Sequence, residues 1–134
     1  MKKILFDTSA YSILLRGNTE LLKVLEAAET VYVPAVVLAE LLAGFKGGSR
    51  EQRNKKILEE FIARPPVAVL DVTRETAEIF AGIFISLKAK GTPLPIHDVW
   101  IGAHAFEQGA VVVTADEHFK KIDGLRLWLT EATR

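Results

Sequence analysis

The sequence predicts an α/β fold built on a mainly parallel five-stranded sheet. Short β-branched or aliphatic runs alternate with longer stretches of helical periodicity, which is the pattern of successive βα units. Runs such as Ala110-Val111-Val112-Val113 are apolar without interruption, as strands covered on both faces are. Apolar residues fill 49% and charged residues 25% of the 134 positions, too hydrophobic for disorder and about the length of one domain. Residues 1–134 are therefore expected to form a single domain.

In chain order, strands are expected at residues 3–6, 30–33, 67–72, 110–113 and, more weakly patterned, 125–129. Helices are expected at 10–15, 19–28, 35–45, 50–63, 74–90 and 96–108. Pro34 suits a first helical position, and Gly91 and Gly109 suit helix ends, where a left-handed residue closes the last turn. Ser49 followed by Gln52 resembles a capping box for the helix whose apolar stripe is Ile57, Leu58, Phe61 and Ile62, and Pro65-Pro66 ends it. The helix over 74–90 carries more apolar surface than one core face requires, through Ile79, Phe80, Ile83, Phe84, Ile85 and Leu87. That surplus suits a dimer interface, a groove for a partner, or deep burial within the domain.

Composition removes several classes. Seventeen Lys and Arg balance seventeen Asp and Glu, so an anionic partner must be caught by a local patch rather than by bulk charge. With no cysteine there is no disulfide framework, thiolate zinc site or cysteine nucleophile, and any metal must use oxygen or imidazole. The apolar stretches 31–45 and 79–87 fall short of the ~20 residues that cross a bilayer, and Asp7 interrupts the N-terminal run too early for a signal-peptide core. A cytoplasmic protein without a membrane span is expected.

Four acids stand where a simple core would not place them. Asp7 directly follows the strand Ile4-Leu5-Phe6, at the carboxyl edge where open α/β sheets bind ligands, although it also suits a cap of the turn through Thr8 and Ser9. Glu40 is the one charged residue among positions 31–45, in a helix apolar nearly all round and so expected to be buried. A buried carboxylate needs a cationic partner or a metal, the alternative being a Glu that reaches solvent or an Arg. Asp98 lies in a first helical turn, where the helix dipole favours it, yet shares its face with Ile101, Gly102 and Ala105, which would turn it inward. Asp116 follows the strand over 110–113 and also fits an N-cap, with Glu117 a rival for the same role. A parallel sheet gathers all four at one edge, where they would repel without a cation. An all-oxygen cluster suits Mg²⁺ or Mn²⁺, and the usual chemistry of such sites is phosphodiester hydrolysis.

In these residues the chain resembles the PIN-domain ribonucleases, and within them the VapC-like toxins of prokaryotic toxin–antitoxin pairs. The likeness spans almost the whole chain. It rests on Asp7-Thr8-Ser9, on Pro34 through Glu40-Leu41, on Asp98-Val99-Trp100-Ile101-Gly102, and on Thr114-Ala115-Asp116-Glu117-His118-Phe119. Gly102 departs from the alanine usual there, and the last acid varies in position among relatives. The resemblance implies a three-layer α/β/α fold, commonly dimeric, that cleaves RNA with Mg²⁺ or Mn²⁺ and is held by an antitoxin protein. Asp7, Glu40, Asp98 and Asp116 would be its acidic quartet, and its products would carry 5′-phosphate and 3′-hydroxyl ends. Short carboxylates on rigid element ends make Asp7 and Asp98 the expected direct metal ligands, with Glu40 and Asp116 binding through water or completing a second metal position.

Around the quartet, Thr8, Ser9 and Thr114 suit hydrogen bonds to a substrate phosphate or a water, and equally turn capping. Lys46, Arg50, Arg53, Lys55 and Lys56 form the dense basic stretch, with Arg16 a further phosphate contact, against a solvated helix face balanced by Glu51, Glu59 and Glu60. His97 and His118 stand beside two of the acids but read as solvated surface groups. Two other classes compete. A receiver-like Mg²⁺-binding signalling domain needs an acid beside Asp7 and a phosphoacceptor ending the third strand, and leaves Glu40 and Asp98 without a purpose. A non-catalytic RNA-binding module of the same fold does not need intact acids, and a dehalogenase-type phosphatase wants Asp where Ser9 stands.

Overall fold

The computed structural model describes residues 1–131. Five strands form one sheet: β1 (Lys3–Phe6), β2 (Thr30–Pro34), β3 (Val67–Leu70), β4 (Val111–Thr114) and β5 (Leu127–Leu129). They lie in the order β3-β2-β1-β4-β5, every pair parallel. Six α-helices connect them: α1 (Thr8–Leu15), α2 (Thr19–Ala27), α3 (Ala35–Lys46), α4 (Glu51–Ala63), α5 (Arg74–Lys90) and α6 (Ile96–Gln108). A 3-10 turn spans Glu117–Lys121.

Ile4, Leu5 and Phe6 are all fully buried, as are Val112 and Val113. Successive strand residues point to opposite faces, so both faces of β1 and β4 are covered and the fold has three layers. The chain builds β1, β2 and β3 outward in one direction and then crosses back to place β4 on the other side of β1. The order therefore reverses between β1 and β4, and the crevice beyond their carboxyl ends is where such sheets take ligands. This order also sets the receiver reading aside, because a receiver's flavodoxin-like sheet runs 2-1-3-4-5 and places its third strand beside the first. Here β3 is an edge strand and Asp71 beyond it is exposed.

Several local expectations are corrected by packing. Pro34 is not the first residue of α3 but the last of β2, pairing with Leu70, and its extended backbone (φ −63°, ψ 148°) makes it the N-cap. Because β2 turns away there, residues 71–72 have no strand to pair with and β3 stops at Leu70. α1 begins at Thr8, two residues early, since the Asp7 side chain accepts from the Ala10 N–H and caps it. β4 starts at Val111 because the Ala110 N–H bonds Ala105 and closes α6, while β5 shortens to Leu127–Leu129. The Ser49–Gln52 capping box does not form: Arg50 is the N-cap of α4 and gives no side-chain bond. A capping box stands instead at α5, where Thr73 and Thr76 bond each other's backbone and both donate to Glu107 of α6. Gly91 and Gly109 close α5 and α6 in the left-handed region, as expected.

The core joins helix to sheet through Phe61 of α4, which meets both Phe6 and Tyr11, while Phe80 of α5 stacks 4.1 Å from Trp100 of the neighbouring α6. Two helices are less buried than their composition suggested. In α3 only Val37 and Leu41 are buried, so the expectation that this helix lies wholly inside is wrong. In α5, Ile83 and Leu87 are buried but Phe84 is 38% and Ile85 60% exposed, which excludes deep burial as the reason for its apolar surplus.

Gly102 lies in a buried turn of α6, close to the side chains of Ile122 and Ile83. A Cβ there would lie 2.9 Å from the Ile122 Cδ1 and 3.6 Å from the Ile83 Cδ1. Gly102→Ala displaces one terminal methyl and gains helix propensity of about 1 kcal/mol, so its net effect in urea unfolding should lie within about 1 kcal/mol of zero. Gly102→Val adds branched bulk with nowhere to go and should cost about 1–3 kcal/mol in the same measurement.

Candidate active site

Asp7, Thr8, Ser9, Glu40, His97, Asp98, Ile101 and Asp116 line one pocket of ≈ 290 Å³ beyond the carboxyl ends of β1 and β4. All four acids expected from the sequence meet there. They arrive from different elements: Asp7 from the end of β1, Glu40 from α3, Asp98 from the first turn of α6, and Asp116 from the loop after β4.

Asp7 forms the floor and is 5% exposed. Its Oδ1 accepts from the Ser9 hydroxyl at 2.8 Å and the Ala10 N–H at 2.9 Å, and its Oδ2 from the Thr114 hydroxyl at 2.5 Å. Burial pushes the Asp7 carboxyl above the usual carboxylate range, against those bonds, and the Asp116 charge adds to the rise. The two hydroxyls in turn receive the next backbone groups, Ala115 N–H on Ser9 and Asp116 N–H on Thr114. Capping and site-building, which the sequence left as alternatives for Asp7, are thus the same hydrogen-bond set.

Asp98 is half-buried, and neither of its oxygens takes a hydrogen bond or ion pair among the described residues. Burial raises its carboxyl first, then the Asp116 charge; His97 pulls it back, Asp7 adds to the rise and His118 opposes it. Asp116 spends Oδ1 on the His118 N–H at 2.8 Å and stands 3.0 Å from the His118 Nδ1 through the same atom. Glu117 points away and pairs with Lys120 at 3.1 Å, so Asp116 is the acid that faces the pocket. Glu40 is the surprise in burial: its side chain is 51% exposed, on the open side of the pocket. The Thr8 hydroxyl donates to its Oε1, and the same oxygen lies 3.0 Å from the His97 Nε2.

Comparison with known proteins identifies the family. The family model for the PIN domain matches residues 4–125. A Salmonella typhimurium protein named tRNA(fMet)-specific endonuclease VapC is 30% identical over 130 residues, covering 95% of this chain and 97% of the relative. The chain belongs to the PIN-domain family, in its VapC branch. Among solved structures, the DNA-bound VapBC of Salmonella typhimurium superposes with a TM-score of 0.85 at 29% identity, covering 96% of this PIN domain and 98% of that chain. VapBC2 of Rickettsia felis bound to promoter DNA shares the fold at a TM-score of 0.87 and 22% identity, over 96% and 99% of the two chains.

The donor set of this PIN domain fits a hard divalent cation. Asp98, Asp116 and His118 each offer a ligand atom within 4.8 Å of the others, beside the carboxylates of Asp7 and Glu40. The basic residues lie outside the pocket lining. Lys46 pairs with Glu51 at 3.1 Å, Arg50 starts α4, and Arg16 closes α1 at the end away from Asp7, about 12 Å along an eight-residue helix. The contact between His97 and Glu40 had no signal in the sequence, since the two are far apart in the chain and meet only because α6 packs near α3.

Raised carboxyls set the sign of a stability effect. A folded carboxyl that holds its proton more tightly than the unfolded one destabilises the fold when ionised, and stability rises as pH falls through the raised value. Without a cation, Asp98→Asn should therefore raise the melting temperature at neutral pH, while the gain that Mg²⁺ or Mn²⁺ gives the parent should shrink in the variant. Calorimetry in EDTA and in each metal checks both halves.

Proposed function

We propose that this PIN domain is a divalent-metal-dependent endoribonuclease, the toxin of a toxin–antitoxin pair, acting in the cytoplasm as one domain over residues 1–134. The observation that carries the reading is the meeting of four carboxylates at the strand-order reversal, with oxygens left free toward one pocket. The VapC names of the relatives favour RNA as the substrate, and the Salmonella relative's name makes transfer RNA the first to try.

A divalent cation bound here supplies Lewis-acid chemistry, acidifying water and offsetting charge on the phosphate. Asp98, whose oxygens take no hydrogen bond or ion pair among the described residues, and Asp116 would help hold it. Glu40 and Asp116 also orient the attacking water. Asp7, held by three hydrogen bonds on the pocket floor, would join Asp98 as a direct ligand. Water adds to phosphorus in line, the bond to the 3′ oxygen breaks, and the fragments carry 5′-phosphate and 3′-hydroxyl ends. Ser9, Thr8 and Thr114 act through the carboxylates their protons hold. Arg50, Arg53, Lys55 and Lys56 make no salt bridge among the described residues, which suits them, with Lys46 and Arg16, to the flanking RNA phosphates.

The VapBC complexes among the structural relatives support an antitoxin protein as the partner that blocks this pocket. A homodimer is supported by α5, where exposed Phe84 lines an apolar groove with Leu87, Pro93, Leu94 and Val99 and the next residue, Ile85, is also exposed.

Purified protein incubated with transfer, ribosomal and single-stranded RNAs should cut at least one of them in Mg²⁺ or Mn²⁺ and none in EDTA. Asp98→Asn should lower the rate by about 10²-fold or more while the circular dichroism stays native, and undiminished cutting would sink the assigned site. In sedimentation, Ile85→Glu should convert a dimer to a monomer; a parent that sediments as a monomer at tens of micromolar rules the α5 interface out.

A further inference from the structure

Glu40 is the least enclosed of the four acids, a long flexible side chain on the α3 face that also carries exposed Ala43 and Gly44. Left alone it would sample several rotamers, and its carboxylate would be near the pocket only part of the time. Two groups from two other elements meet it on the same atom. Thr8 of α1 donates to Oε1, and His97 of α6 brings Nε2 to 3.0 Å from Oε1. Oε2 takes no hydrogen bond or ion pair among the described residues.

The histidine is built for this reach. Its ring is 30% exposed, but Nε2 itself is closed off from solvent and makes no hydrogen bond among the described residues, so the 3.0 Å approach to Glu40 is the polar contact it has. It directly precedes Asp98, so one turn of α6 delivers a free carboxylate to the pocket and a ring nitrogen to the acid across it. His118, by contrast, touches an acid two residues away in its own turn, a contact that the local cap already explains.

We infer that His97 is a positioning residue: with Thr8 it pins Oε1 of Glu40, so that Oε2 is presented to the cation and water of the pocket. The inference rests on the hydrolytic reading of this site and adds the group that makes its most exposed acid usable. Residues that orient a metal-binding carboxylate typically change metal affinity or activity by about 10- to 100-fold when removed.

The test is a double-mutant cycle read by Mn²⁺ affinity, from the electron paramagnetic resonance of free Mn²⁺, on the full chain and its Glu40→Gln, His97→Ala and doubly substituted variants. Expected is a loss of about 10-fold for each single variant, with the double variant no weaker than Glu40→Gln alone. His97→Gln, which keeps a side-chain N–H, should recover most of the affinity. On RNA, His97→Ala should lower kcat by about 10-fold with KM within about two-fold. Additive losses, an unchanged affinity in His97→Ala, or a loss in His97→Ala with none in Glu40→Gln would each overturn the inference. Should the parent cut no RNA, the nuclease reading falls on that result, while the Mn²⁺ cycle still decides the role of His97.

Discussion

The Asp7 carboxylate takes one backbone and two hydroxyl protons at the end of the central strand, and those bonds propagate outward. Ala10 is the first turn of α1, so the same carboxylate starts that helix. Ser9 and Thr114, once fixed on Asp7, offer their own oxygens to the N–H groups of Ala115 and Asp116. The backbone that presents Asp116 is therefore set by the group it must face. Remove the charge at position 7 and the start of α1, the exit of β4 and the placement of a second acid all lose their common reference.

Around that anchor the molecule tolerates an arrangement that works against its own stability. Asp7 and Asp98 are partly withdrawn from water with Asp116 beside them, and both carboxyls are raised in consequence. A sheet buried on both faces can bear this because its interior strands contribute so much apolar burial elsewhere. The acids at the edge of the pocket are handled differently from those on its floor. Glu40 and Asp116 each have a histidine on one oxygen and leave the other open, whereas Asp98 is left wholly open.

The sheet and the acids were legible in the sequence because both depend on local order: an apolar run gives a strand, and a residue just past it lands at the strand's carboxyl edge. Asp7, Asp98 and Asp116 follow from that logic. Glu40 was found by a weaker route, since its helix is only partly buried and its own face is open, and the acid is held by side chains from other elements. Helix starts failed where tertiary contacts override local signals. Pro34 was claimed by the ladder with β3, and Ser49 lost α4 to Arg50. Thr73 gave no cap signal, because its box is completed by Thr76 rather than the usual Glu or Gln. The pairing of His97 with Glu40 depends on how α6 lies against α3, which no short window of sequence encodes.

The unequal burdens on the acids have an evolutionary reading. Asp7 caps a helix and ties down a strand exit, so a lineage cannot discard it without loosening both. Asp98 bears no hydrogen bond for the fold and is relieved by neutralisation. If Asp98 carries the proposed chemistry, a copy of this gene drifting toward silence has an easy exit at position 98, where a single amide would leave a chain that still folds and still presents its outer surfaces to partners. Descendants kept as regulators or decoys would be expected to retain the aspartate after the first strand and to have lost the one that opens α6.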